Sequence, residues 1–122
     1  MKKHLLNIFG ILLLLTFFVA CSKVSDEDLR VAHIAAKNGA IIVDVRTSEE
    51  FAKKHIENAI NIPIKKIKKL YDVIPKGKEI IVYCRSGSHS HIAAVFLQRK
   101  NRTVYDVGTQ EDWQREISAV TK

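Results

Sequence analysis

The chain has 122 residues, of which 47% are hydrophobic and 27% are charged, with two cysteines, two prolines and five glycines. This length predicts one globular domain at most, and the composition excludes collagen-like, low-complexity and largely disordered chains. Two cysteines are too few for a disulfide framework, a zinc ribbon or an iron–sulfur cluster, while the formal net charge of +7 favours an anionic surface or substrate as partner.

The first twenty residues have the pattern of an export signal. Met1–His4 is positively charged, and the 16 residues from Leu5 to Ala20 contain no charged side chain. This stretch is shorter than the ~20 apolar residues that span a bilayer, and it suits the hydrophobic core of a secretory signal. We therefore predict a signal peptide over residues 1–20.

The end of that signal resembles the lipobox of bacterial lipoproteins. The residues that carry the resemblance are Phe18-Val19-Ala20-Cys21, although these proteins usually have Leu or another aliphatic residue in place of Phe18. The resemblance implies that Cys21 is acylated, which would anchor an exported protein on the periplasmic or cell-surface side of a membrane. Residues 21–24 would then be a lipid-anchored linker and residues 25–122 the domain. Cleavage without acylation and an uncleaved membrane anchor are the alternatives.

The predicted processing changes the charge and the meaning of the second cysteine. Without residues 1–20 the chain has 18 basic and 13 acidic side chains, a net charge of +5. Nucleic acid is not an expected partner, because no strip of aromatic and basic residues accompanies this charge. Acylation of Cys21 would leave Cys84 without an intramolecular partner. An unpaired thiol in an oxidising compartment is a liability unless it is buried or chemically used, so Cys84 is a candidate functional residue.

Hydrophobic periodicity and turn residues predict strands that alternate with helices. The predicted strands are Ala40–Val45, Ala59–Ile62, Glu79–Cys84 and Arg102–Val107, with a turn at Gly108. The first predicted helix is capped by Ser25 and ended by Asn38-Gly39, and the second runs from Thr47 or Ser48 to Lys54. The third has Ile64, Ile67, Leu70 and Tyr71 on its apolar face. The fourth covers His89–Lys100 with Ile92, Ala93, Val95, Phe96 and Leu97 mostly inward, and the fifth covers Gln110–Val120. This alternation predicts an α/β fold with a central parallel sheet and helices on both faces.

Cys84 is predicted at the carboxyl end of a buried strand, where the sites of open parallel sheets form. The Ser86-Gly87-Ser88 turn after it leads into a helix, so backbone N–H groups would form a cradle for an anion. Gly87 has no Cβ and lets the backbone approach the sulfur, while Arg85 adds a permanent positive charge. These groups favour the thiolate, which is the nucleophilic form of cysteine. The alternative is that Cys84 is a small buried hydrophobic residue that ends a strand.

An ordered set of motifs from about Val24 to Val120 resembles the rhodanese family of sulfurtransferases. The motifs are Ile42-Val43-Asp44-Val45-Arg46 with Glu50-Phe51, His55-Ile56-Glu57-Asn58-Ala59-Ile60-Asn61-Ile62-Pro63, Cys84-Arg85-Ser86-Gly87-Ser88-His89-Ser90, and Val107-Gly108 with Trp113. The resemblance implies a rhodanese-like fold and transfer of sulfane sulfur. The sulfur would pass from a small anionic donor such as thiosulfate, or from a polysulfide or persulfide, to Cys84, and from its persulfide to a thiophilic acceptor such as cyanide or a thiol. No cofactor and no metal is implied.

The resemblance assigns catalysis to Cys84 and substrate binding to the loop that follows it. The N–H cradle would stabilise the terminal sulfur of the persulfide. The predicted substrate-binding residues are Arg85, Ser86, Gly87, Ser88 and His89. His89 stands where the family often has Arg, so the resemblance does not define the donor preference. Further departures from the family pattern are Lys54 and Asn58, each in place of Gly, and Thr109 in place of a second Gly in the closing turn.

Several polar residues of the motifs are expected to have structural roles. In this family the pair formed by Asp44 and Arg46 would hold strand to helix through Glu50. His55 is expected to be a hydrogen-bonded structural residue, and Trp113 to belong to the core or to a pocket wall.

Two other functions use the same fold. A cysteine phosphatase or arsenate reductase needs an Arg as the sixth residue after the cysteine, and this chain has Ser90 there. A non-catalytic rhodanese-like module that binds a protein partner is the main alternative, although such modules commonly lack the cysteine. The lysines at 65, 66, 68 and 69 are expected to be a solvated face, with contact to anionic headgroups as a further hypothesis.

Overall fold

The structure, a computed structural model, describes residues 24–115. The predicted signal peptide, the lipidation site Cys21 and the end of the last predicted helix lie outside these residues. Within residues 24–115, no helix has the length and apolar character needed to cross a membrane.

Four parallel strands form one sheet with the order β2-β1-β3-β4. The strands are β1 (Ile41–Asp44), β2 (Ile60–Asn61), β3 (Ile80–Cys84) and β4 (Val104–Thr109). The helices are α1 (Asp26–Lys37), α2 (Ser48–Lys53), α3 (Ile67–Leu70), α4 (Ser88–Arg99) and α5 (Gln110–Gln114), and 3-10 turns at Ile64–Lys66 and Tyr71–Val73 flank α3. The predicted α/β architecture is confirmed.

Two hydrophobic cores lie on opposite faces of the sheet. On one face, α4 and α3 cover β1 and β3 with Ala93, Leu97 and Ile67. On the other face, α1 covers the sheet with Leu29 and Ala32. Every residue of β3 is buried, as a central strand of a sheet covered on both sides requires.

The predicted ends of α1 are confirmed. The Ser25 side chain accepts a hydrogen bond from the Asp28 N–H at 3.1 Å, which satisfies a free donor of the first turn. Gly39, just beyond the helix, has φ +94°, a conformation that residues with a Cβ rarely adopt. Together these residues fix where the chain leaves α1 and enters β1.

Two predictions about helix faces are wrong. The helix predicted from Ile64 is interrupted, because Lys66 and Leu70 have ψ of −8° and 0°, and Leu70 is 39% exposed rather than inward. In α4, Ile92 is 56% exposed. The residues of α4 that are buried are Ser90, Ala93, Ala94 and Leu97. Their spacing of three, four and seven places Ile92 outside the inward stripe.

The last strand and helix also differ from the prediction. Strand β4 continues to Thr109, so Gly108, with φ +72°, lies within the strand rather than in a turn after it. Helix α5 ends at Gln114, because Arg115 has ψ 131°.

Arg115 holds the beginning of the described chain to its end. Its Nη2 donates to the Val24 carbonyl oxygen at 2.6 Å and to Asp26 Oδ1 at 3.0 Å. Val24 also lies beside Gly108, since its Cγ2 is 3.2 Å from the position that a Cβ on that glycine would occupy. The chain therefore enters the domain next to the end of β4.

Candidate active site

Cys84 ends β3 at the carboxyl edge of the sheet, and its side chain is 2% exposed. The backbone N–H of Gly87 donates to Sγ at 2.9 Å. On the neighbouring strand Cys84 is paired with Thr109, beyond an irregularity in the β3–β4 register. The sulfur is thus held by a backbone donor at a place where the regular strand pairing is interrupted.

Gly87 gives the loop its shape. It has φ +93° and precedes the first residue of α4, so the backbone turns back towards the sulfur there. A Cβ on Gly87 would lie 3.8 Å from Gly108 Cα, which places the loop directly against β4.

Ser90 fixes the far side of the same loop. Its side chain is fully buried, and Oγ donates to the Gly87 carbonyl oxygen at 3.0 Å, with the Gly108 carbonyl oxygen at 3.5 Å. Sequence reasoning did not place Ser90 among the site residues. Its place three residues before Ala93 and seven before Leu97, on the inward stripe of α4, is the signal that could have found it.

The predicted substrate-binding residues are placed in different positions around the sulfur. Gly87 contacts Sγ directly. Arg85 is exposed and lines the cavity over Cys84. The side chains of Ser86, Ser88 and His89 are exposed on the outside of the loop and do not line that cavity; the hydroxyl oxygens of the two serines lie 3.1 Å apart.

The cavity over Cys84 has a volume of about 190 Å³ and is lined mainly by charged and amide side chains. Its lining residues are Arg46, Lys54, Cys84, Arg85, Thr109, Gln110, Glu111 and Gln114. Three of them are cationic and one is acidic, so the lining favours a small anion over a neutral ligand. Sequence reasoning missed Lys54 and the residues of α5, because the chain folding rather than any local motif brings them to Cys84.

Asp44 and Arg46 form a buried ion pair beneath this cavity. Asp44 is fully buried, and Arg46 donates to it from Nη2 at 2.6 Å and from the backbone N at 2.8 Å. The hydrogen bond with Asp44 raises the pKa of Arg46. Arg46 Nη2 also donates to the Lys54 carbonyl oxygen at 2.5 Å.

The expectation that Glu50 mediates this link is wrong, because the guanidinium reaches the backbone of Lys54 while the Glu50 carboxylate accepts from the Thr47 hydroxyl.

Tyr83 completes that network from β3. Its hydroxyl donates to Asp44 Oδ2 at 2.7 Å and accepts from the Ile56 N–H at 3.1 Å. Burial raises the pKa of Tyr83 to about 12; the Ile56 N–H opposes that rise and Asp44 adds to it. Tyr83 therefore remains a neutral donor over the physiological range, and the network fixes β1 and β3 beside Cys84.

The aromatic and histidine residues of the motifs lie outside the cavity. His55 is hydrogen-bonded through Nδ1 to the Phe51 carbonyl oxygen at 2.7 Å and stacks on the Phe51 ring at 3.8 Å, as expected of a structural residue. Trp113 packs against the core of the α1 face and stacks on His33 at 3.8 Å. The rings of His33 and Trp113 line a larger cavity, of about 590 Å³, which does not include Cys84 or its loop.

Within residues 24–115, no group of three or more His, Cys, Asp or Glu side chains is arranged to hold a metal ion. The chemical groups that the structure brings together around Cys84 include one thiol, one backbone N–H donor, three cations, one carboxylate, two amides and one hydroxyl. Such a set can bind a small anion and place it against a sulfur nucleophile.

The fold and the loop define a class of small α/β proteins with a cysteine at the carboxyl edge of a parallel sheet. A family model described as the Rhodanese-like domain matches residues 29–116. The chain belongs to the rhodanese-like domain family.

Relatives of the chain include proteins named sulfurtransferases. It is 31% identical over 75 residues to a sulfurtransferase of Allochromatium vinosum, covering 62% of this chain and 70% of the relative. It is 31% identical over 112 residues to an adenylyltransferase and sulfurtransferase of Ogataea parapolymorpha, covering 84% of this chain but only 29% of that longer protein. Among solved structures, a rhodanese-related protein from Thermoplasma volcanium matches with a TM-score of 0.60 and 26% identity, covering 75% of this chain and 88% of that one.

Proposed function

We propose that the protein is a sulfurtransferase that carries sulfane sulfur on Cys84, from thiosulfate, a polysulfide or a persulfide to cyanide or a thiol. The observation that carries this proposal is the hydrogen bond from the Gly87 N–H to Cys84 Sγ at 2.9 Å. A donor already directed at the sulfur stabilises negative charge there without reorganisation.

In the first step the Cys84 thiolate attacks the outer sulfur of thiosulfate. A bond forms between Sγ and that sulfur, and the bond from it to the sulfonate sulfur breaks. Sulfite leaves with the electron pair, and Cys84 becomes a persulfide anion. Arg85, Lys54 and Arg46, which line the cavity, attract the dianionic donor and stabilise the departing sulfite.

In the second step an acceptor removes the outer sulfur. Cyanide or a thiolate attacks the terminal sulfur of the persulfide, the bond from that sulfur to Sγ breaks, and the electron pair returns to Cys84 as thiolate. The products are thiocyanate or the acceptor persulfide. The Gly87 N–H supports the charge on Sγ, which is the nucleophile of the first step and the leaving group of the second, so the same donor serves both half-reactions.

Intact mass spectrometry of residues 22–122 tests this proposal. Thiosulfate should add about 32 Da, the mass of one sulfur, and cyanide should remove it with release of thiocyanate. Cys84→Ser should abolish both changes and leave the circular dichroism spectrum unchanged. Thiocyanate production by that variant would mean that Cys84 is not the nucleophile, and a wild-type protein that never gains mass from thiosulfate or polysulfide would leave only a binding module.

We also propose that the protein is exported and anchored to a membrane through acylated Cys21. The support is the charged, apolar and small-residue pattern that ends at Cys21. Expression of the full chain in a bacterium with an alkyne-labelled fatty acid should label the protein, and Cys21→Ser should remove the label. Label retained in that variant would contradict acylation at Cys21.

A further inference from the structure

The net positive charge of the domain resides in one segment. Residues 24–115 contain sixteen basic and twelve acidic side chains, a net charge of +4. Residues 65–79 contain six lysines and two acids, which is also +4, so the remainder of the described chain is neutral overall. A charge distribution of this kind creates a field directed from one side of the molecule.

Most of that segment is a helical run with one buried side. Ile67 and Ile74 are 2% and 0% exposed and pack into the core on the α4 face of the sheet. The opposite side consists of exposed lysines, two exposed apolar side chains and one exposed acid, Asp72. We name it the lysine face, and its residues are Lys65, Lys66, Lys68, Lys69, Leu70, Asp72 and Val73.

Two apolar side chains of this face are exposed to solvent. Leu70 is 39% exposed and directly follows Lys69, and Val73 is 61% exposed three residues further along the chain. Lys100, from the end of α4, extends the cationic surface, since its Nζ lies 5.5 Å from the centroid of the Tyr71 ring. Protruding aliphatic side chains among lysines are the composition of segments that lie in the headgroup region of a bilayer.

We propose that the lysine face binds an anionic lipid bilayer. The lysines would pair with the diffuse negative charge of the headgroups, and Leu70 and Val73 would enter the boundary between headgroups and acyl chains. Each Lys near such a surface contributes about 1 kcal/mol of attraction. The proposal does not depend on sulfur transfer, and it adds a second membrane contact to the anchor proposed at Cys21.

The composition of the run favours a bilayer over an acidic protein. Residues 64–76 contain five lysines but no Arg, Ser, Thr, Asn or Gln. Protein interfaces are enriched in Arg and depleted in Lys, because the planar guanidinium matches carboxylates and an ammonium is a strongly hydrated point charge. A flexible ammonium suits a delocalised anionic surface better than a single carboxylate.

Sedimentation with vesicles tests the proposal on residues 22–122. Both cores lie within residues 24–115, and the matched protein of Thermoplasma volcanium consists of little beyond this domain, so the shortened chain should fold. We expect binding to vesicles of equal parts phosphatidylcholine and phosphatidylglycerol at low salt, weaker binding at about 0.15 M salt, and none to phosphatidylcholine alone.

Matched variants separate the lysine face from net charge. The triple substitution Lys65→Gln, Lys68→Gln, Lys69→Gln should weaken vesicle binding about 100-fold. The control Arg30→Gln, Lys37→Gln, Lys53→Gln removes the same charge from α1 and α2 and should change binding less than about fivefold. Equal losses in the two variants, or no binding by the wild type at low salt, would overturn the proposal.

A second pair of variants separates a bilayer from any other polyanion. Leu70→Ser with Val73→Ser should weaken binding to the vesicles but not to polyglutamate. The control Val31→Ser with Ile34→Ser alters side chains that are 38% and 52% exposed on α1, and it should leave both kinds of binding unchanged. Binding to polyglutamate as tight as to vesicles, with no effect of Leu70 and Val73, would show a general polyanion site and refute the bilayer as partner.

Discussion

The buried hydroxyl of Ser90 donates to the carbonyl oxygen of Gly87 at 3.0 Å. The N–H of the same glycine donates to Cys84 Sγ at 2.9 Å. Ser90 therefore influences the sulfur indirectly, because it holds Gly87 in place and the N–H of Gly87 donates to the thiol. A side chain that does not line the cavity over Cys84 is in this way part of the site.

Replacement of Ser90 tests that relationship. Ser90→Ala leaves the Gly87 carbonyl without its side-chain donor, and we expect a loss of about 1–2 kcal/mol of stability. Because the loop is less fixed, the rate of persulfide formation from thiosulfate should fall about tenfold. Quenched-flow mass spectrometry measures the rate, and urea unfolding measures the stability. The control Ser86→Ala, at an exposed hydroxyl bonded to Ser88, should change neither; equal rates in the two variants would refute the positioning role.

Gly87 and Gly77 allow the effect of the loop to be separated from backbone strain. Both have positive φ, +93° and +78°, so an Ala at either site should cost about 1–2 kcal/mol of stability. Only Gly87 contacts the sulfur, and we expect Gly87→Ala to lose most sulfur transfer while Gly77→Ala retains it. Thiocyanate formation and thermal unfolding provide the two measurements. Retention of full activity by Gly87→Ala would show that the N–H of Gly87 is not needed.

Lys54 provides a test of anion attraction by the cavity. Lys54→Glu changes the lining from three cations and one acid to two of each, so the KM for thiosulfate should rise about tenfold, and kcat should fall because the departing sulfite loses a cation. The neighbouring Lys53 is exposed and does not line the cavity, and Lys53→Glu serves as the matched control. The effect at Lys54 should shrink as salt is added. Identical KM values for the two variants would exclude a role of Lys54 in donor binding.

Tyr83 gives a prediction about alkaline stability. Its pKa in the folded protein is raised from 10.0 to about 12, so the neutral hydroxyl stabilises the fold fully below pH 10 and this contribution is lost as the pH rises towards 12. The loss should amount to about 2–3 kcal/mol. Tyr83→Phe removes the ionisation together with the hydrogen bonds to Asp44 and Ile56.

The comparison of wild type with Tyr83→Phe isolates the ionisation of Tyr83 from other effects of alkaline pH. Wild type should be more stable than Tyr83→Phe at pH 7 in urea unfolding, and its advantage should decrease between pH 10 and 12. A constant difference over that range would contradict the raised pKa of Tyr83.

The layers of the fold could be predicted from local sequence, whereas the faces of short helices could not. Continuous apolar runs predicted β1 and β3, and Ser25 with Gly39 predicted the ends of α1. The face of α4 was misjudged at Ile92, because hydrophobicity alone does not reveal that small residues such as Ala93 pack closest to the sheet. Interruptions at Lys66 and Leu70 arise from how the run fits over the core, which no local propensity specifies.

Only those residues of the site that are close together in the sequence could be predicted. Cys84 and Gly87 are three residues apart, and the turn between them is readable from Gly and Ser alone. Arg46 and Lys54 reach the cavity from β1 and from the end of α2, so their role depends on tertiary packing. The same reason explains why Arg46 binds the Lys54 carbonyl oxygen instead of the expected Glu50. A guanidinium binds whichever acceptor the fold presents.

The contact of Arg115 with the Val24 carbonyl has a consequence for an acylated protein. Three residue steps separate Val24 from Cys21, a length of at most about 11 Å. Val24 lies against Gly108, and Gly108 lies against the turn at Gly87. If Cys21 carries acyl chains, this short connection would keep Cys84 close to the headgroups, and we expect small solutes to reach its sulfur more easily than large soluble proteins.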